Sequence, residues 1–300
     1  MQEILAQLTQ AGIPFLEHEP LARHTSFRIG GPVRALVLPQ SEAELVQATE
    51  LLRHAGEVPL IIGNGSNLLA VDTPIDRIAM KTYDGVSALK RLEGDTIYAA
   101  SGTLLARVAV FAREQGLVGL EFAHGIPGTL GGAVYMNAGA YGGEMGQVVT
   151  CVHYLDTQQE RQTAQGAELD FSYRHSPFCD NPDVLILGAE LTLTPGDPAE
   201  IQAKMDELAA KRRTSQPLEF PSGGSTFKRP KTGYAAALID EAGLKGYAIG
   251  GAQVSEKHAG FVINRGGATC DDVLRLMAHI QERVLQRTGV ELEAEVKLVW

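Results

Sequence analysis

The spacing of apolar and polar residues divides the chain into short helices and strands before any motif is considered. Residues 2–11 predict a helix ending at Gly12, and residues 33–38 a strand. Ser41-Glu-Ala-Glu44 is a capping box, serine at the cap and glutamate three positions later. It opens a helix with Leu45, Val46, Thr49 and Leu52 on one side, closed near Gly56, and Leu60-Ile-Ile62 then completes a β-α-β unit. Strands are predicted over 76–82, 96–100, 148–156 and 184–194, with a helix over 104–115 that turns Leu104, Val108, Phe111 and Ala112 inward. Asp197-Pro-Ala-Glu200 caps a further helix, running to about Arg213 with Ile201, Met205, Leu208 and Ala209 as its stripe. The last hundred residues read as α+β. They hold helices over 235–242 and 271–287, a strand over 260–264 and an alternating edge strand over 292–300.

Two segments break this regularity. Seven of the nineteen residues from Gly125 to Gly143 are glycine, a density that costs chain entropy and asks for a geometric reason. A turn at Ile126-Pro127-Gly128 feeding a helix over 129–137 would point its first amides outward, toward a phosphate. A glycine-rich loop packed tightly on a sheet is the other reading. Gly63-Asn-Gly-Ser-Asn-Leu-Leu69 resembles half of a dinucleotide fingerprint, but no third glycine or long helix follows, so a Rossmann domain is not expected. Its backbone amides, with Ser66 and Asn67, suit a pyrophosphate; a tight hairpin explains the same residues.

The composition narrows the class. Three hundred residues exceed one ordinary core, and 44% hydrophobic with 21% charged residues describes a folded enzyme rather than a disordered chain. A formal charge of −10 argues against a general nucleic-acid binder. Cys151, Cys179 and Cys270 form no disulfide framework or paired metal motif, which suits a reducing cytosol. Cys151 and His153 occupy neighbouring strand positions, where core and surface residues are the ordinary reading, and no metal is expected. The amino terminus lacks a signal-peptide pattern and no stretch is long and apolar enough to span a membrane, so a cytoplasmic protein is expected.

Residue type alone leaves the chemistry open. Arg174 suits a carboxylate or phosphate, or is a solvated arginine. Ser225 sits in an open glycine loop, where serines commonly serve turns. Strand alternation puts Glu291, Glu293, Glu295 and Lys297 on one face and singles out none of them. His24, His124 and His258 are equally ambiguous, and no G-x-S-x-G elbow marks a hydrolase.

Seven motifs in order do carry a resemblance: His24-Thr-Ser-Phe-Arg-Ile-Gly-Gly31, Gly63–Leu69, Gly125–Gly143, Tyr173-Arg-His-Ser-Pro-Phe178, Pro221-Ser-Gly-Gly-Ser-Thr-Phe-Lys228, 252–264 and Leu292-Glu-Ala-Glu-Val296. The chain resembles the UDP-N-acetylenolpyruvoylglucosamine reductase (MurB) family of peptidoglycan synthesis over nearly its whole length. The resemblance implies an α+β fold: a two-lobed FAD-binding module of the p-cresol methylhydroxylase type (1–82 and 83–196) and a C-terminal α+β substrate-binding domain (197–300). Non-covalent FAD would be held by Gly63, Asn64, Gly65, Ser66, Asn67 and Leu68 and by Gly125, Ile126, Pro127, Gly128, Thr129, Gly131, Gly132, Ala133, Asn137 and Ala138. Tyr141, Lys228, Arg229, Lys257 and His258 would meet the nucleotide-sugar substrate.

In the family NADPH reduces FAD and leaves, and the enolpyruvyl ether of UDP-N-acetylglucosamine takes the same cleft. Hydride adds to the terminal alkene carbon. Arg174 and a protonated Glu295 would stabilise the resulting aci-carboxylate, and Ser225 would protonate the carbon beside the ether oxygen. Two departures stand out. The family's longer form inserts a capping loop with a tyrosine before the serine motif, whereas Ser225 here follows Arg174 by 51 positions, as in the shorter form. Arg229 stands where relatives often carry an asparagine that binds the substrate diphosphate. The rival readings are another flavin oxidoreductase or oxidase on this fold, for which His124 is a conceivable attachment point, and a non-catalytic nucleotide-sugar binder. A monomer is favoured.

Overall fold

The computed structural model describes residues 1–83, 85–181 and 183–300. Its chain packs as two units, one of Met1–Glu17, Ala35–Asn64 and Arg77–Ala210, the other of His18–Arg34, Gly65–Asp76 and Lys211–Trp300.

The first unit contains two hydrophobic cores. In the first, Leu8 of the Gln2–Gln10 helix and Leu45 and Leu52 of the Glu42–His54 helix pack with Ile78 and Leu187. Half of the capping box forms as read: the Ser41 hydroxyl accepts the Glu44 N–H at 3.1 Å, while the Glu44 carboxylate accepts the N–H of Gln40, one residue before the cap, at 2.9 Å. The associated sheet runs Phe15–Glu17, Val33–Val37, Ile75–Lys81, Leu60–Ile62. Leu60–Ile62 and Ile75–Lys81 pair in parallel, so the two outer strands of the β-α-β unit are not neighbours; a third strand lies between them.

The other core lies on an antiparallel sheet ordered Arg161–Gln165, Val149–Leu155, Leu185–Thr192, Thr96–Ala100, Leu89–Arg91. Val108 and Ala112 of the Leu105–Glu114 helix pack there, with Leu130 and Val134 of a short Leu130–Tyr135 helix and Ile201 and Met205 of the Pro198–Ser215 helix. Two strands of this sheet escape the periodicity. Arg161-Gln-Thr-Ala-Gln165 has one apolar residue, Ala164, because an edge strand with most of its side chains in water needs no apolar alternation.

In the second unit the Cys270–Thr288 helix buries Val273, Leu276, Ile280 and Val284. They pack with Ala252, Val254 and Val262, and with Phe27, Ile29 and Leu69 from early in the chain. Thr269 and Asp272 form a reciprocal capping box at this helix's start, and Gly289 (φ 71°) ends it in the left-handed conformation. The terminal strand is shorter than its alternation predicts. Only Lys297–Val299 is a strand, parallel to Leu68–Ala70, while residues 293–295 instead cross a loop ahead of it.

Candidate functional site

In the first unit the glycine-rich stretch meets the end of the Leu60–Ile62 strand. Gly63 lies directly on Thr129: a Cβ at position 63 would stand 2.3 Å from the Thr129 hydroxyl, so no side chain fits without moving it. The Asn64 side-chain amide donates to the Pro127 carbonyl at 2.7 Å, fixing one loop to the other. Two hydroxyls in this unit, Thr129 Oγ1 and Ser101 Oγ, are buried and make no hydrogen bond. Ser101 lies against Gly131, whose Cβ would stand 2.9 Å from its own. An unpaired buried hydroxyl costs about 1–3 kcal/mol, so two of them beside glycine loops fit the polar oxygens of a large ligand such as FAD.

The helix start supplies fewer free amides than its shape suggests. Thr129 caps the Leu130–Tyr135 helix, but the Leu130 and Gly131 N–H groups already donate to the Thr103 and Ser101 carbonyls, both at 2.8 Å. The Ser101-Gly-Thr103 turn folds back over the helix terminus and takes its first two donors. By contrast, the amides of Gly63, Asn64, Gly65 and Ser66 donate to nothing among the described residues. Unspent donors therefore concentrate in the loop with the weaker sequence signal. Close packing accounts for part of the glycine density as well, since a Cβ on Gly143 would collide with the Phe122 ring at 2.4 Å.

Asn137 ties this stretch to the arginine motif. It is fully buried with φ 42°, its amide donates to the Ser172 carbonyl and its oxygen accepts the Gly146 N–H, both at 2.8 Å. Both polar groups are engaged within the protein, so the side chain braces the stretch against the arginine motif. Arg174 follows with φ 56°, its guanidinium donating to the Gly139 carbonyl at 2.9 Å and lying 4.9 Å from the Tyr173 ring. A non-glycine residue held in this conformation is strained, and such strain collects at ligand sites. Ala138 packs its side chain against the core, and its carbonyl accepts the Met145 N–H at 3.0 Å. Ala133 is buried in the core. Tyr141 (φ 53°) and Gly142 (φ 89°) form the two-residue turn of a hairpin, with the tyrosine ring exposed at its tip.

In the second unit the segments that carry Ser225 and Glu295 run side by side. The Glu295 N–H donates to the Thr226 carbonyl at 2.9 Å, and Phe227 bridges Ala294. Asn67 joins them: its side chain donates to the Glu295 carbonyl at 3.1 Å, and its own carbonyl accepts the Lys297 N–H at 2.9 Å. Ser225 is exposed, and Glu295 is half-buried where Glu291 and Glu293 are exposed. Packing thus distinguishes the one carboxylate that alternation could not.

Gly65 (φ 63°) sits under the His24 carbonyl, where a Cβ would stand 2.0 Å away, and Leu68 opens the strand beside Lys297. The three cations assigned to substrate are engaged: Lys228 pairs with Glu293, Arg229 stacks 4.2 Å over Tyr234, and Lys257 donates to the Arg213 carbonyl at 2.7 Å. His258 accepts the Gly260 N–H at 3.2 Å through Nδ1. Burial pushes its imidazole below the ordinary pKa, with the Lys245 charge adding to the effect. Ser101 is the residue that reading the sequence missed; a serine directly after a strand and before glycine was its only signal.

Comparison with known proteins assigns this arrangement to a family. A family model described as UDP-N-acetylenolpyruvoylglucosamine reductase, C-terminal domain, matches residues 216–299, and one described as an FAD binding domain matches residues 33–161. The UDP-N-acetylenolpyruvoylglucosamine reductase of Caldanaerobacter subterraneus subsp. tengcongensis is 46% identical over 98% of this chain and 96% of its own. That of Pediococcus pentosaceus is 44% identical over 96% and 95%. The crystal structure of the MurB reductase from Thermus caldophilus superposes with a TM-score of 0.78 at 32% identity, covering 95% of this chain and 98% of that one. A glucooligosaccharide oxidase from Acremonium strictum, at 12% identity and a TM-score of 0.50 over 97% of this chain and 60% of its own, shares the fold alone. With near-complete coverage on both sides, the chain belongs to the UDP-N-acetylenolpyruvoylglucosamine reductase family, on the flavin fold of the p-cresol methylhydroxylase type.

Proposed function

We infer that this chain is an FAD-dependent reductase that uses NADPH to convert the enolpyruvyl ether of UDP-N-acetylglucosamine into UDP-N-acetylmuramate, a peptidoglycan precursor. The observation that carries the reading is the pairing of the Ser225 loop with the Glu295 segment through the Thr226 carbonyl at 2.9 Å. That pairing puts a hydroxyl and a carboxyl, the two groups a proton-delivering and charge-stabilising site requires, on adjacent chain segments.

Residues 63–69 and, in the first unit, Thr129, Ser101 and Gly131 are assigned to FAD, and the orphaned hydroxyls and unspent amides among them suit its oxygens. When bound it supplies hydride transfer, taken from NADPH and given to the substrate's terminal alkene carbon. Arg174 is assigned to the negative charge that then spreads onto the adjacent carbon and carboxylate, and Glu295 shares that role. A preorganised donor of this kind contributes about 3–4 kcal/mol to the transition state. Ser225 delivers the proton to the carbon beside the ether oxygen. Lys228, Arg229, Lys257, His258 and Tyr141 are assigned to the substrate, with the lysine pairs exchanged for phosphate on binding. Lobes 1–82 and 83–196 and a substrate domain 197–300 are proposed as the functional parts. The three free cysteines fit a cytoplasmic location, and among the described residues no helix is long and apolar enough to cross a membrane. A monomer is the proposed state.

Purified protein should be yellow and should oxidise NADPH only when the enolpyruvyl nucleotide is present. Colourless protein, or NADPH consumption that needs oxygen alone, rejects the assignment. Ser225→Ala should keep flavin reduction by NADPH while slowing reoxidation by substrate about 100-fold or more, the usual scale for losing a general acid. Equal losses in both half-reactions would remove Ser225 from proton delivery.

A further inference from the structure

Away from every residue assigned to flavin or substrate, the five-stranded sheet of the first unit gathers a metal-ligating set. Cys151 and His153 lie two apart on the Val149–Leu155 strand and so share a face. On the neighbouring Leu185–Thr192 strand, Glu190 stands directly opposite Cys151. His153 Nε2 lies 3.8 Å from Cys151 Sγ and 2.9 Å from Glu190 Oε1, and the three donor atoms fall within 4.8 Å of one another. Only the cysteine and histidine are visible in the sequence as a pair; the third ligand arrives 37 positions later through strand pairing.

We propose that Cys151, His153 and Glu190 form a binding site for a zinc-class divalent cation on this sheet. A tetrahedral Zn²⁺ with bonds of about 2.3 Å to sulfur and about 2.0–2.2 Å to nitrogen and oxygen holds its ligand atoms roughly 3.3–3.6 Å apart. The observed separations of 3.8 and 2.9 Å lie within about half an ångström of that spacing, and the third, between sulfur and carboxylate, is no more than 4.8 Å and closes by side-chain rotation. A thiolate and a carboxylate offset the 2+ charge, and the thiolate with an imidazole selects zinc-class metals over magnesium or calcium. The fourth position falls to water. The His153 and Glu190 side chains are 32% and 31% exposed, and a cavity of about 200 Å³ opens beside His153 and Gln162.

The surrounding residues support the same set. Gln165, opposite Cys151 on the other side, points its amide at the sulfur from 3.5 Å, as a donor to a thiolate would. Tyr98, opposite Glu190, presents its ring to the His153 imidazole edge-on, with centroids 5.7 Å apart. These contacts limit how far the imidazole and the sulfur can turn away from each other. An ordinary His153–Glu190 ion pair would require neither the buried cysteine nor its glutamine donor.

The test uses tag-free, full-length protein, stripped with a chelator and then dialysed against zinc chloride and desalted. Elemental mass spectrometry should find one zinc per chain, and zinc-edge absorption should show one sulfur at about 2.3 Å with nitrogen and oxygen neighbours at about 2.0–2.2 Å. Cys151→Ala and Glu190→Gln should abolish stoichiometric retention, and Cys270→Ala should not. Wild-type protein that retains no stoichiometric zinc, or zinc bound without a sulfur neighbour, overturns the proposal, as does full retention in Cys151→Ala. The wild-type sulfur signature decides the matter even if a variant fails to fold.

Discussion

Thr129 shows what a single residue can reveal. It occupies a helix cap, yet its hydroxyl caps nothing and lies buried under Gly63 without a partner. If that hydroxyl serves FAD, Thr129→Val should leave the stability of flavin-free protein within about 1 kcal/mol, because no existing bond is lost. Flavin affinity should fall about 10- to 100-fold, the scale of one hydrogen bond to a charged group, and Thr129→Ser should restore it. Titration of flavin-free protein with FAD, beside denaturant unfolding, separates the effects; unchanged affinity with lower stability would make the hydroxyl structural. Single residues were legible in the sequence only as members of motifs. Alternation left Glu291, Glu293 and Glu295 equivalent, and Glu295 separates from them through Asn67, 228 positions away, and through Thr226. Such pairing belongs to tertiary structure and leaves no local trace.

Elements were more legible, because a helix's periodicity and caps are local. The Cys270–Thr288 helix has both: a buried stripe and the Thr269–Asp272 box. Asp272 accepts the Thr269 and Gly251 N–H groups at 3.1 and 3.2 Å and pairs with Arg275 at 2.9 Å. The Thr269 backbone bond, followed by the Gly251 bond and Arg275, lowers its pKa below the ordinary aspartate value, against the opposing effect of burial. A carboxyl whose pKa is lower in the folded state stabilises above its unfolded pKa, and that stabilisation disappears as pH falls through the folded value. Asp272→Ala should therefore cost about 1–2 kcal/mol near neutrality, the scale of a lost cap. The difference from wild type should narrow below about pH 4. Denaturant midpoints at matched flavin content measure it, and a difference independent of pH would assign the loss to packing. Where local signals fail, as in the Arg161–Gln165 edge strand, the cause is solvent on most of its side chains. The helix start at Leu130 is a different failure: its shape was legible, but the carbonyls that consume its amides come from Ser101 and Thr103.

At the scale of the whole molecule, the proposed functional parts follow the order of motifs, but packing groups the chain in another way. The core around the Cys270–Thr288 helix includes Phe27, Ile29 and Leu69, each no more than 2% exposed, although all three precede residue 83. The Phe27 carbonyl accepts the Asn264 side-chain amide at 3.0 Å, and Lys297–Val299 pairs with Leu68–Ala70. Each of the three apolar side chains contributes about 1.5–3 kcal/mol on burial, so a fragment lacking them forfeits roughly 5–9 kcal/mol. That is comparable to the entire stability of an ordinary domain, about 5–15 kcal/mol. A fragment of residues 197–300 should accordingly show no cooperative unfolding transition, and its near-ultraviolet dichroism should be weak beside that of the full chain. Supplying residues 18–34 and 65–76 on the same polypeptide should restore cooperativity, because those segments complete the second packed unit. A cooperative transition in the 197–300 fragment, with a midpoint near that of the intact protein, would mean that the substrate part folds alone and that the early segments merely dock on it.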